Sequence, residues 1–186
     1  MLDLLHQHNT TADEKAQALQ MAARCGNLEA AQLLLTYGVH VNAPPLAPDF
    51  PYRPRTALQA AAQFDNLKLV QCLLDAGADV ESKVRSLREE GTALQFAASV
   101  GSITIVTILI QHGADVNAPA IGKWGRTPIE DAAQEGRLDT VQLLINMGAR
   151  SAGSWALNYA RDRHQDGMVA FLLENGFEYQ RRGEES

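Results

Sequence analysis

The 186-residue chain contains no run of 18 or more apolar residues, which excludes a membrane-spanning helix on length grounds. Its opening Met1-Leu-Asp-Leu-Leu-His6 lacks the cationic stretch and long apolar core of a secretory leader. Cysteine is scarce. Cys25 and Cys72 lie far apart, and two thiols make no disulfide framework, so a reducing intracellular compartment, cytoplasmic or nuclear, is expected. An excess of basic charge is also missing: the formal net charge is −6, which argues against nucleic acid as the partner. Five histidines are spread over the chain without metal-ligand spacing. Gly122-Lys-Trp-Gly125 lacks the spaced glycines and the Lys-Ser/Thr ending of a phosphate loop. Neither cysteine has a histidine nearby in sequence. No catalytic residues, no metal and no cofactor are expected, and the chain does not read as an enzyme.

What the chain does have is a glycine that returns after each leucine-rich run. The runs are Leu33 to Gly38, Leu73 to Gly77, Leu109 to Gly113, Leu144 to Gly148 and Leu172 to Gly176, at intervals of 39, 36, 35 and 28 residues. A period in this range marks stacked supersecondary units rather than one globular core. The middle three units each open with Thr followed three residues later by Gln or Glu: Thr56-Ala-Leu-Gln59, Thr92-Ala-Leu-Gln95 and Thr127-Pro-Ile-Glu130. That spacing is a capping box, in which hydroxyl and amide or carboxylate satisfy the orphan N–H groups at a helix start. Pro128 at the first helical position costs nothing, because its missing N–H would have no helical partner. A short first helix therefore ends near Asp65-Asn66, Gly101-Ser102 or Gly136. A second helix rich in Leu, Ile and Val follows, closed by the recurring glycine in the left-handed conformation. Paired alanines (Ala22-Ala23, Ala61-Ala62, Ala97-Ala98, Ala132-Ala133) let first helices approach closely.

The pattern Thr-Ala-Leu-Gln-x-Ala-Ala, then Gly, then a leucine run and Gly113-Ala-Asp-Val-Asn-Ala118, resembles the ankyrin repeat. With Asn42-Ala43-Pro44 and Asn117-Ala118-Pro119 it is similar to the ankyrin arrays of large fungal multidomain proteins. The family's usual His after Leu is Gln59, Gln95 or Glu130 here, which the capping box accommodates. The resemblance implies an all-α solenoid of about five helix-turn-helix units joined by hairpin-like finger loops. The expected organisation is an N-terminal extension over 1–11, an ankyrin domain over 12–177 and a polar tail over 178–186. Its units are expected at about 12–43, 54–81, 90–118, 125–150 and 153–177. The end units read as caps: the first lacks the Thr-Ala opening, and in the fifth Arg161, His164 and Asp166 replace alanine, glycine and leucine.

Against a unit of about 33 residues, the first three fingers are lengthened and the last connection shortened. The insertions fall at 43–55, which holds five prolines, at 82–91 and at 119–126. The lengthened fingers carry an excess of +4, leaving −10 on the remainder. Tyr52, Arg53, Arg55, Trp124 and Arg126 are thus candidate contacts for an acidic protein partner. The alternative is ordinary turn chemistry and surface charge, since Arg55 and Arg126 immediately precede the Thr caps. A second candidate surface is one face of the first helices, which the family resemblance turns toward a concave groove: Phe64, Phe96 and Val100, with Met21 and Cys25, Asp131 and Glu135, and Tyr159 and Arg163 in the flanking units. These residues either meet a partner or pack between units and under fingers. The expected function is a non-catalytic protein-interaction scaffold, monomeric, without nucleic-acid or membrane binding. The alternatives are a recognition or sensor segment of a larger fungal signalling or surveillance protein, and a structural spacer.

Overall fold

In the computed structural model, residues 11–44, 55–85, 90–120, 125–150 and 154–180 are described. They form five helix pairs: α1 (Ala12–Cys25) and α2 (Leu28–Thr36), α3 (Ala57–Gln63) and α4 (Leu67–Asp75), α5 (Ala93–Val100) and α6 (Ile103–Gln111), α7 (Pro128–Gln134) and α8 (Leu138–Asn146), α9 (Ala156–Asp162) and α10 (Asp166–Glu174). Between α4 and α5 the chain makes an antiparallel ladder of two short strands, β1 (Val84–Arg85) and β2 (Glu90–Gly91), with Val84 opposite Gly91. The fold is the expected helical solenoid, and this finger is hairpin-like in the literal sense.

Three of the inner-helix starts are capping boxes, as their sequences predict. Thr11, Thr56 and Thr92 accept from the backbone N–H three residues on, while Glu14, Gln59 and Gln95 accept from the cap's own N–H. The second helices end as the glycine periodicity predicts. Gly38, Gly77, Gly113, Gly148 and Gly176 all have φ between 75° and 93°. The next residue then donates back five positions: Val39 to Leu34, Ala78 to Leu73, Ala114 to Leu109, Ala149 to Leu144 and Phe177 to Leu172, at 2.9–3.2 Å. This is the Schellman closure, with an apolar residue following the glycine.

The first helices α1, α3, α5, α7 and α9 pack in register as an inner row, and the second helices stack more loosely outside them. The alanine pairs explain the difference. Ala23, Ala61, Ala62, Ala97, Ala98, Ala132 and Ala133 are fully buried, and a larger side chain there would force neighbouring units apart. Leucine and isoleucine fill the space between rows: Leu19, Leu69, Leu73, Leu94, Ile105, Leu109, Ile129, Leu144, Leu157 and Leu172 are buried. Truncating one of these to alanine costs roughly 2–5 kcal/mol, and because each unit touches only its neighbours the loss falls on one or two junctions. The ordered backbone runs on past Phe177, where Asn158 clamps the backbone of Gln180 (N–H to Oδ1 at 2.8 Å, C=O from Nδ2 at 2.9 Å) and Arg161 lies over the Tyr179 ring.

Candidate partner-binding surface

The capping glutamines have a second task. A cap uses only the amide oxygen, and the amide nitrogen of Gln59 is left to donate to the carbonyls of Ser82 (2.8 Å) and Gly91 (3.2 Å) in the next finger. Gln95 does the same with Pro119 (3.3 Å) and Arg126; Gln20, inside α1 and no cap, makes the matching bonds to Ala43 and Pro44. A buried Gln at this position therefore starts a helix and fixes the base of the following finger. Glu130 has no N–H to give, and its surroundings change to match. Its carboxylate accepts from Thr127 N–H (2.9 Å), Trp155 N–H (2.7 Å) and the Ser154 hydroxyl (3.3 Å). Capping-box logic found these residues but accounts for one end of each side chain; the unspent amide N–H was the signal for the rest.

A second set of ties joins finger to finger. Asn42 accepts from Asp79 N–H (2.8 Å) and donates to Gly77 (3.0 Å), and Asn117 makes the same pair with Arg150 and Gly148. Glu81 takes the asparagine's place in the unit between, accepting from Asp115 N–H at 2.9 Å. These ties fix the described finger bases to the inner row and to one another.

Tyr52, Arg53 and Trp124 lie outside the described residues. Arg55 is only 9% exposed; its guanidinium stands 4.3 Å from the centre of the Phe96 ring in the next unit and donates to Gln63. Phe96 is 8% exposed beneath it. Arg126 repeats the arrangement two units on, 5.2 Å from the Tyr159 ring centre and 3.1 Å from Asp131. These two arginines work between units, and most of the surface they could offer a partner is already engaged. Val100 is half-buried at the end of α5, and Phe64 is 47% exposed at the end of α3, with Arg24 5.9 Å from its ring centre. Met21 (39% exposed) and Cys25 complete an apolar strip over the first three units. Glu135 and Arg163 continue the line as an ion pair at 3.7 Å.

The electrostatics are concentrated on α7. Burial pushes the Asp131 carboxyl up to about 6; Arg126 opposes the rise, and Glu130 and Glu135 add to it. Burial, with Asp75 adding to it, also raises the Cys72 thiol, the opposite of what a reactive thiolate needs. Among the described residues no three His, Cys, Asp or Glu side chains come together as a metal site, and no helix is long and apolar enough to cross a membrane.

A family model described as ankyrin repeats (3 copies) matches residues 1–84 and again residues 58–152. No curated protein matches the chain. Ankyrin repeats as a family mediate protein–protein interaction. Both the family match, which spans most of the length, and the stacked capped helix pairs with fingers at their junctions lead to one assignment: the chain belongs to the ankyrin-repeat family.

Proposed function

We propose that the protein is a non-catalytic scaffold that captures a protein partner along the inner row of its first three units. Phe64 is the anchor, Met21, Cys25 and Val100 extend it, and the finger residues Tyr52, Arg53 and Trp124 add contacts from the side. The observation that carries this reading is the exposure of Phe64. An aromatic ring nearly half open at the end of an inner helix, in line with Met21, Cys25 and Val100, is the kind of residue that dominates binding energy at interfaces. Arg55, Phe96 and Arg126 hold the shape of the surface and contribute to binding through it. The basic excess on the fingers favours an acidic segment in the partner.

Proximity labelling in the source cell supplies the partner set, and capture by the purified protein tests the surface. Phe64→Glu with Val100→Glu is expected to abolish capture of that set while the melting curve stays that of the parent. Retained capture by a folded double variant would reject the inner row, and loss only with Arg53→Glu would move the site to the fingers.

A further inference from the structure

In the first four units the turn after the inner helix contains one residue with positive φ: Gly26, Asp65, Gly101 and Gly136. Where that residue is glycine, the next unit sends a long polar side chain across it to a backbone carbonyl. Asn66 crosses Gly26 and donates to Ala23 at 3.3 Å, Arg137 crosses Gly101 and donates to Ser99 at 3.1 Å, and Gln165 crosses Gly136 and donates to Gln134 at 2.9 Å. A Cβ on any of the three glycines would lie 2.7–3.3 Å from the crossing side chain. The junction between the second and third units departs from this on both sides. Asp65 has a side chain where the others have none, and Ser102, which stands where Asn66, Arg137 and Gln165 do, is too short to cross. Among the described residues no side chain reaches the carbonyl of Gln63, the counterpart of Ser99 and Gln134.

The row of ties is thus interrupted beside the exposed ring of Phe64, leaving an open seat at the turn edge of the inner row. Phe64 (47% exposed) borders it on the second unit, and the half-buried Val100 and the exposed Ile103 border it on the third. Its chemistry favours a cation. The last carbonyls of α3 lie there with the negative end of the helix dipole. Asp65 adds a full negative charge; it is exposed and makes no ion pair among the described residues. At the next junction the same place is filled by a guanidinium, that of Arg137. The chain's own cations do not fill this one: Arg24 lies 5.9 Å from the Phe64 ring centre, Arg55 lies on Phe96, and Lys68 is exposed on α4 without a bond to Asp65.

We propose that the protein partner fills this seat with an arginine: beside the apolar side chain that it lays on Phe64, it places a guanidinium against Asp65 and the Gln63 carbonyl, as Arg137 does for Ser99 at the next junction. Arginine suits the seat better than lysine, because one planar fork bonds carboxylate and carbonyl together. The inference rests on the inner-row reading above and adds a charge requirement to it. The basic fingers stand at the other edge of the row, about 10 Å away along the seven residues of α3. A partner with its arginine at the turn edge and its acidic segment at the fingers is held across the row in one direction.

A random peptide library displayed on phage, panned on the full chain and counter-selected on Ser102→Arg, which fills the seat from within, supplies the probe. The retained peptides are expected to share an arginine beside an aromatic or aliphatic residue. A synthetic copy of one, followed by fluorescence polarisation, should bind Asp65→Asn and Ser102→Arg about tenfold more weakly than the parent. Replacing its arginine by alanine should weaken binding to the parent but not further to Asp65→Asn. Asp139→Asn, which alters an exposed acid on α8 in the fourth unit, should bind as the parent does. Phe64→Ala separates the two readings. Loss of binding there with full affinity for Asp65→Asn and Ser102→Arg overturns the seat and leaves the inner row standing, whereas full affinity for Phe64→Ala overturns the inner row and the seat with it. A selection that retains no peptide, or peptides without a common cation, also overturns the seat. Asparagine tolerates the left-handed turn, so Asp65→Asn takes over as counter-selection target if Ser102→Arg fails to fold.

Discussion

Arg55 and Phe96 are 41 positions apart in sequence, yet the guanidinium of one lies 4.3 Å from the ring centre of the other, across the junction between the second and third units. The contact is nearly closed to water on both sides. A desolvated cation over an aromatic face contributes about 2 kcal/mol, against about 0.5–1 kcal/mol in the open. Arg126 over Tyr159 is the looser version of the same device.

Arg55→Ala is expected to lower stability by about 2 kcal/mol, since it removes both the ring contact and the bond to Gln63. Phe96→Ala should cost about 3–5 kcal/mol as a buried aromatic truncation. A double-mutant cycle by urea unfolding should return a coupling of about 1–2 kcal/mol. Additive effects would mean that the two side chains are neighbours without interaction.

The N3 residues are matched to what they face, so exchanging them should fail in both directions. Gln95→Glu sets a carboxylate against the carbonyls of Pro119 and Arg126 and should cost about 3 kcal/mol or more. Glu130→Gln points an amide donor at Trp155 N–H, or else at Thr127 N–H, and should cost about 1–3 kcal/mol. Chemical denaturation of the two variants checks the pair. A neutral outcome for both would show that the fingers are not held by these side chains.

Asp65 and His164 occupy the left-handed region, at φ 55° and 57°, in the turn where Gly26, Gly101 and Gly136 stand in other units. A side chain there is strained, and His164→Gly should raise stability by about 0.5–1 kcal/mol. Gly101→Ala should do the reverse and more. Its φ is 90°, and an added Cβ would lie 2.7 Å from the Arg137 side chain that crosses it to reach Ser99. Thermal melts of the two variants should move in opposite directions, and a rise for Gly101→Ala would contradict the geometry.

Asp131 gives stability a sign that can be isolated. Its folded-state value of about 6 lies above the ordinary 3.8, so its contribution is fully present below pH 4 and is lost as pH rises to about 6. The difference in melting temperature between Asp131→Asn and the parent should therefore shift in favour of the variant from pH 4 to pH 6 and level off above pH 7. A difference that stays constant over this range would show that the carboxyl is not perturbed by folding.

The repeat itself was legible because its signals are local. A Thr-x-x-Gln box or a glycine after a leucine run needs only a few neighbouring residues, and Thr56, Thr92, Gly77 and Gly113 stand where those signals put them. Pairings across units were not legible. Arg55 reads as a turn cation and Phe96 as a face residue until stacking brings them together, and both are then largely withdrawn from the surface. Gln59 and Gln95 stood in between: the box consumes their oxygen, and a buried amide nitrogen left over demands an acceptor from the next unit.

The most direct measurement of the scaffold reading is the dissociation constant of the partner for Phe64→Ala and for Arg55→Ala, each measured by titration calorimetry at a temperature where the variant is folded. Phe64→Ala is expected to weaken binding at least tenfold with little change in melting temperature, because an exposed anchor acts in the interface. Arg55→Ala is expected to lower the melting temperature while leaving affinity within a few-fold of the parent. Full affinity for Phe64→Ala, or loss of affinity for Arg55→Ala alone, would contradict the account.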